Sequence, residues 1–392
     1  MNIDHFDKYC NEKFDLKQQE RGIREESKRP EIPVSTLFKS VREMPVLGQT
    51  SLLSVDQYAR RPEALRWHAS RRRMVTSDTT LERRLRGIDR EAVLGIGYEA
   101  VKKLDDEDYW DWKLPTGRKI RVGIVDGSNF GGFEASVLAM AGPSDGVLDL
   151  EPSPGRGHEL AVSRRVLRRA KKQLGKGFFD IVTGDGLYPT QKDFRLHRRE
   201  LGCDLLVKTQ EETLSVIQDA RGLFFPRNGK PPEGVRKQEG LDQERQICYQ
   251  VIWAEGFEWT GLEYPVTVAW VREEFLKPLK GRPKVVEFWV LTTAVGLTGE
   301  ELREIAHRRW HIENGVFKRL SALVRSKRYA CHHRKVQEML LRIWMIGLTL
   351  LGAYLFQRGL NVIERTWGPM KVTWRWITES MRLSLYEFSA GP

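Results

Sequence analysis

The spacing of apolar positions changes near Lys119, and the change divides the chain. From Ser35 to about Leu94 the apolar residues recur at helical intervals. Ser54 reads as the cap of a helix running through Val55, Tyr58, Ala64 and Leu65. Thr79-Thr80-Leu81-Glu82 reads as a capping box that opens a short helix, Leu81 to Leu85, ended by Gly87. Beyond Lys119 the period shortens to that of strands. Arg121–Val125, Glu134–Ala141 and Gly146–Leu150 predict three consecutive strands joined by Gly/Pro/Asp turns. His158–Leu174 then predicts an amphipathic helix. Its apolar stripe is Leu160, Val162, Val166, Leu167, Ala170 and Leu174, and arginines and lysines cover the rest. A strand at 178–184, a helix at 191–201 and a strand at 204–209 follow.

The order β-β-β-α-β-α-β is that of an RNase-H-like domain, so the fold class expected is α/β with a mixed central sheet. Residues 210–293 interrupt it as a β-rich insertion. There, 228–244 reads as a loop, and Ile247–Trp253, Tyr264–Val271 and Val285–Thr293 read as strands. Thr298-Gly299-Glu300-Glu301 opens a helix that carries Glu313. Ile343–Phe356 is the longest apolar run. A bilayer span needs about 20 residues, so this shorter run, bracketed by Arg342 and Arg358, reads as a buried core helix and no membrane partner is expected. Residues 1–33 are charged, contain Pro30 and Pro33, and lack an apolar leader. The expected organisation is a flexible arm at 1–34, a helical DNA-binding region at 35–94, a catalytic core at 115–209 and 294–358 split by the 210–293 insertion, and a C-terminal segment at 359–392.

Charge narrows the partner. Across 392 residues, Lys and Arg number 65 against 53 Asp and Glu, a net charge of +12. That excess suits a polyanion. Arg71-Arg72-Arg73 precede the second short helix, and Arg83 and Arg84 lie on it. Two short helices with a basic connector resemble a helix-turn-helix, whose second helix enters a DNA groove; a small helical subdomain with a solvated basic face is the plainer reading. The four cysteines lie far apart with no C-x-x-C pair, which argues against a zinc ribbon or disulfide framework and for a reducing, cytoplasmic setting. Cys331-His332-His333 is embedded in arginines and lysines and reads as a solvated or DNA-facing segment.

Three acids carry candidate chemistry. Asp126 ends the apolar run Val122–Val125, Asp185 ends Phe178–Gly184, and Glu313 lies in the predicted helix. A carboxylate at the C-terminal end of a buried strand projects into the crevice where open α/β sheets bind ligands. Taken singly, the two Asp-Gly pairs are ordinary turn formers and Glu313 an ordinary surface acid. Taken together, an all-oxygen set suits two Mg²⁺ or Mn²⁺ ions. Arg309 lies four residues before Glu313, on the same face of a regular helix, and reads either as its salt-bridge partner or as a ligand for a DNA phosphate. Lys208, at the end of its strand, and the basic Lys318, Arg319 and Arg325 extend the candidate DNA surface.

These residues resemble the DDE transposases of insertion sequences, in the cut-and-paste class with a β-rich insertion before the last acid. The resemblance rests on Asp126-Gly127-Ser128, Gly184-Asp185-Gly186-Leu187-Tyr188, Phe288–Thr293, Glu300–Ala306 and Arg309-Trp310-His311-Ile312-Glu313, and covers roughly 115–345. It implies an RNase-H-like core, catalytic and metal-binding roles for Asp126, Asp185 and Glu313, nicking at terminal inverted repeats, strand transfer into target DNA, a synaptic homodimer and a nucleoid-associated place in the cytoplasm. Arg309 fits the family signature around the last acid. Ala306 stands where that signature has Tyr and Leu320 where it has Lys; Lys318 or Arg319 is the substitute for the lysine. A Trp of the insertion, among Trp253, Trp259, Trp270 and Trp289, is the candidate to stack on a displaced base. The alternatives are a transposase-derived DNA-binding protein and a stand-alone RNase-H-like nuclease.

Overall fold

The computed structural model describes residues 3–25, 32–61, 77–143, 146–155, 157–278, 281, 283–326, 331, 333–359 and 374–387. The chain divides into two compact units, each assembled from separated segments. One comprises 1–110, 127–162 and 313–392, the other 111–126 and 163–312.

The first unit is mainly helical. It holds α1 (Ile3–Phe14), α2 (Leu16–Gly22), α3 (Val34–Arg42), α4 (Leu52–Ala59), α5 (Asp78–Leu85) and α6 (Arg90–Asp105). The hairpin β3 (Phe133–Met140) and β4 (Gly146–Pro152) pairs antiparallel. The first residues of α7 (Glu159–Leu174) belong here too, and α11 (Lys318–Val324), α12 (Arg334–Tyr354) and α13 (Trp374–Glu387) complete the unit. A helix apolar on every side must be enclosed, and α12 is: from Met339 to Tyr354 every residue is buried. The expected core helix is therefore present, with its apolar window 94% buried. Arg342 is enclosed with it, its Nη1 3.2 Å from Asp149 Oδ1 and its Nη2 2.8 Å from Glu338 Oε1, while Tyr98 donates to Asp149 Oδ2 at 2.8 Å. Paired and hydrogen-bonded charges can be buried where lone ones cannot.

The N-terminal arm is a correction. Ile3, Phe6, Tyr9, Cys10 and Phe14 line one face of α1 and are buried. Phe6 meets Tyr354 edge-on at 5.6 Å, and Tyr9 donates to Gln357 at 2.6 Å. Intervening charges dilute this stripe in the sequence. They are themselves in use: Asp7 and Glu20 flank the fully buried Arg42 at 3.0 and 3.3 Å. Both short helices of the 35–94 region also start earlier than expected. Ser51 caps α4, with Ser54 as its reciprocal partner, and Ser77 caps α5. Each cap is the serine placed to accept an N–H from the third residue beyond it.

The second unit is built on a mixed sheet, giving the whole a mixed α/β character. Its strands are β1 (Asp111–Lys113), β2 (Lys119–Phe130), β5 (Ile181–Gly184), β6 (Asp204–Thr209), β7 (Arg236–Asp242), β8 (Ile247–Phe257), β9 (Val266–Phe275) and β10 (Val285–Thr292). The last residues of β2, from Gly127, belong to the first unit. The order is β2-β5-β6-β10-β9-β8-β7, with β1 pairing β2. β2, β5 and β6 run parallel; the rest of the ladder is antiparallel. The remainder of α7, α8 (Gln191–Arg195) with a π-helical extension to Leu201, α9 (Ser215–Phe224) and α10 (Gly299–His311) complete the unit.

Two elements here differ from expectation. β7 lies in the tract read as a loop. It is an edge strand with no buried residue, so it needs no apolar face, and its charged Arg236, Lys237 and Glu239 guard the free edge. α9 lies in the tract read as β-rich; its buried Val216, Ile217, Ala220 and Phe224 follow a helical period.

Candidate active site

The parallel strands β2 and β5 align Val122 with Ile181, Gly123 with Val182 and Ile124 with Thr183. Extended two residues, past the end of β5, the same register would set Asp126 beside Asp185. β5 and β6 align Gly184 with Val207, so the next step sets Asp185 beside Lys208. On that extension the three would fall in one row at the C-terminal ends of neighbouring parallel strands, where residues in register share a face. Asp126 is 6% exposed. Asp185 is more open, and its Oδ1 accepts the backbone N–H of Leu187 at 2.9 Å, which fixes the turn leaving the strand. Gly184 has to be glycine: a Cβ there would come within 2.8 Å of the Tyr188 ring. Tyr188 is buried, with its hydroxyl 2.7 Å from that of Ser163.

α10 brings a cation to this row. Thr298 and Glu301 form a reciprocal capping box, as the sequence predicts, with Thr298 accepting from Glu301 N at 3.2 Å and Glu301 accepting from Thr298 N at 3.0 Å. From that start Leu302, Ile305 and Ala306 are buried. Arg309 then donates from Nη1 to Asp126 Oδ2 at 3.2 Å, with both side chains mostly enclosed. This partner lies 183 residues earlier in the chain.

A buried ionic cluster anchors the same helix. Glu273 on β9 is fully buried; Arg303 Nε lies 2.5 Å and His307 Nε2 2.6 Å from its Oε1. Burial pushes the Glu273 carboxyl up, but His307 and Arg303 outweigh it and hold it below its ordinary value. Burial lowers the His307 pKa, while the hydrogen bond and charge of Glu273 oppose the fall. The sequence gives no signal for this cluster, since its members lie on elements far apart in the chain.

Both shifts act in the same sense on stability. A depressed histidine and a depressed carboxylate each favour the fold at higher pH, and each contribution fades as pH falls. Melting temperature should therefore drop as pH is lowered from 7 through the ordinary histidine value near 6.5 and on towards 4. Glu273→Ala strands two buried partners and should cost about 3–5 kcal/mol at pH 7. Thermal melts of the two chains across that range check both statements, and a Glu273→Ala chain as stable as the parent would reduce the cluster to a bystander.

Glu313 follows α10 directly, at the start of a π-helical turn, Ile312–Phe317, and is the residue at which the chain passes into the other unit. It is exposed. π-turns inside α-helices frequently mark functional sites. In this turn and α11, Lys318 is exposed and reaches Asn314 Oδ1 at 2.5 Å. Arg319 is buried, its Nε donating to Gly315 O at 3.0 Å, and Leu320 is wholly buried. Ala306 is wholly buried as well. Among the described residues, no group of three or more His, Cys, Asp and Glu side chains forms a ready metal cage.

Of the N-terminal arginines, Arg83 is exposed, while Arg84 makes an ion pair with Glu25 and donates to Ile32 O at 2.7 Å. Arg71, Arg72 and Arg73 lie outside the described residues, as does His332. Trp253, Trp259 and Trp289 of the insertion are buried, with Trp289 stacked on Phe224 at 6.1 Å. Trp270 is partly exposed and meets the exposed Phe225 edge-on at 5.0 Å.

The family model described as Transposase DDE domain matches residues 117–348, more than half of the chain. The chain belongs to that family: it is a DDE transposase of the insertion-sequence type, an enzyme whose substrate is DNA. No curated protein matches it.

Proposed function

We propose that this transposase nicks DNA at the terminal inverted repeats of its own element and joins the freed 3′-hydroxyl to target DNA, using Asp126, Asp185 and Glu313 as ligands for two Mg²⁺ or Mn²⁺ ions. The observation that supports the reading is the parallel pairing of β2 with β5, whose C-terminal ends lead to Asp126 and Asp185. The donor set fits such ions: carboxylate oxygens alone, with no thiolate or imidazole among them. Ions held there would activate an attacking oxygen and stabilise a leaving one. The protein's own part is positional. The Asx-turn holds the Asp185 carboxylate, and Arg309 orients that of Asp126 and offers its guanidinium charge to a DNA phosphate. The strand orders β4-β3-β2 in one unit and β2-β5-β6 in the other favour an RNase-H-like core.

End recognition we assign to residues 35–94, with exposed Arg83 on a base edge or phosphate, Arg71–Arg73 on phosphates, and Lys318 on the backbone near the cut. Arg84 and Arg319 are enclosed and serve that surface from beneath. A homodimer pairing two ends, working on the nucleoid, completes the reading. Retention of the acids disfavours a role in binding alone, because carboxylates weaken DNA contact unless they are used.

The test is a supercoiled plasmid carrying the element's flanking sequences, incubated with the purified chain and Mg²⁺. Site-specific nicks at the repeats, absent when EDTA is added, are expected. Metal-independent cutting, or cutting indifferent to the repeats, would overturn the proposal.

A further inference from the structure

Lys208 lies near the C-terminal end of β6, next to Val207, which pairs with Gly184 of β5. Its position invites the reading of a phosphate contact, but its nitrogen is not at the surface. Lys208 Nζ is sealed from solvent and has no hydrogen-bond partner among the described residues. It lies 3.8 Å from the centre of the Phe288 ring and 4.0 Å from that of Trp310. Phe288 is on β10, two residues from Val290, which pairs directly with Lys208, so the ring stands on the same face of the sheet. Trp310 is on α10, next to Arg309. An ammonium between two ring faces is held by their quadrupoles, and that attraction strengthens where water is excluded. Burial pushes the Lys208 pKa down to about 8; Glu273 opposes the fall, and Arg309 and Arg303 add to it.

We infer that Lys208 is a positioning residue for cleavage, not a DNA contact: its caged ammonium pins Trp310 and so holds Arg309 against Asp126. The inference rests on the proposed cleavage at Asp126 and Asp185. The reasoning is geometric. Arg309 and Trp310 are consecutive on one helix, so a shift that frees the ring turns the guanidinium away from its 3.2 Å contact. No described residue hydrogen-bonds that nitrogen, and the two rings are its nearest contacts, with Glu273 attracting its charge. A methionine at this place keeps the length and apolar stem of the lysine and removes only the charge. An arginine keeps the charge and can still stack on the indole.

The experiment compares Lys208→Met, Lys208→Arg, Trp310→Leu and the Lys208→Met/Trp310→Leu double variant in single-turnover nicking of end DNA, alongside end-DNA affinity at several salt concentrations and melting temperature. Lys208→Met should lose about 10- to 100-fold in rate through misplacement at the reacting centre, with affinity, salt slope and melting temperature close to the parent. Lys208→Arg should recover most of the rate. Trp310→Leu should slow cleavage similarly, and the double variant should be no slower than the worse single one. Weakened DNA binding in Lys208→Met, with the log–log salt slope reduced by about one, would make Lys208 a phosphate contact and overturn the inference. So would an unchanged rate, or additive losses in the double variant. Absence of any nicking by the parent chain would overturn the proposed function and this inference with it; a nicking parent with an equally fast Lys208→Met would overturn this inference alone.

Discussion

Asp126→Asn, Asp185→Asn and Glu313→Gln should each bind end DNA about as well as the parent and nick it at least about 1,000-fold more slowly, a rise of about 4 kcal/mol in the barrier. Each change removes one negative charge and keeps the shape, so the fold has little reason to respond. Asp126 is the one exception to watch. Its Arg309 partner would be left facing an amide in a mostly enclosed place, so a small loss of stability is expected there and not at Asp185 or Glu313. Affinity should hold or rise, because each variant lowers the repulsion between the site and phosphate. The assay is single-turnover nicking with Mg²⁺, beside a gel shift on the same DNA. Any one of the three cutting at the parent rate would remove that residue from the proposed ion-binding set. Replacing Mg²⁺ with Mn²⁺, which tolerates looser coordination, should restore a small part of the lost rate if the carboxylates are ligands and none if they act in another way.

How much of this was legible beforehand depends on where each signal lives. β6 was readable to the residue, because Asp204–Thr209 is a short apolar run between turn formers. The capping box of α10 was readable because all its parts are local. The parallel pairing of β2 with β5 was readable one step removed: each is an apolar run, and the strand order follows from the alternation of elements. What escaped was set by partners distant in sequence. The α1 stripe is interrupted by Asp7 and Lys13, whose charges look like solvent-facing residues until Arg42 and Glu107 are placed beside them. β7 lacks an apolar face because it is an edge. The π-turn at Ile312 has no side-chain signature, although it changes the phase of the helix at Glu313. Lys208 was singled out for its strand-end position, but nothing in the sequence said that Phe288 and Trp310 would close over it.

Arg309→Ala should melt within a few degrees of the parent yet nick about 30- to 100-fold more slowly, and this separation distinguishes a working arginine from a merely structural one. As an ion pair alone, the contact with Asp126 is mostly enclosed, with 14% and 9% of the two side chains open, so losing it costs folding up to a few kcal/mol, only a few degrees of melting temperature in a chain of this length. As part of the site it has a second effect, for two reasons that act on rate alone. It fixes the direction in which the Asp126 carboxylate points, and small misplacements of reacting groups cost about 100-fold. A guanidinium is a planar fork that matches two phosphate oxygens at once, a charge-assisted geometry that strengthens as water is excluded. Lysine at 309 keeps the charge but not the fork, so Arg309→Lys should recover part of the rate, not most of it. End-DNA affinity should fall only a few-fold in both variants, since one phosphate contact among many is lost. Cleavage by Arg309→Ala near the parent rate, on folded protein with end DNA and Mg²⁺, would confine Arg309 to holding α10 against the sheet. A loss of rate matched by an equal loss of affinity would make it a general backbone contact, outside the reacting centre.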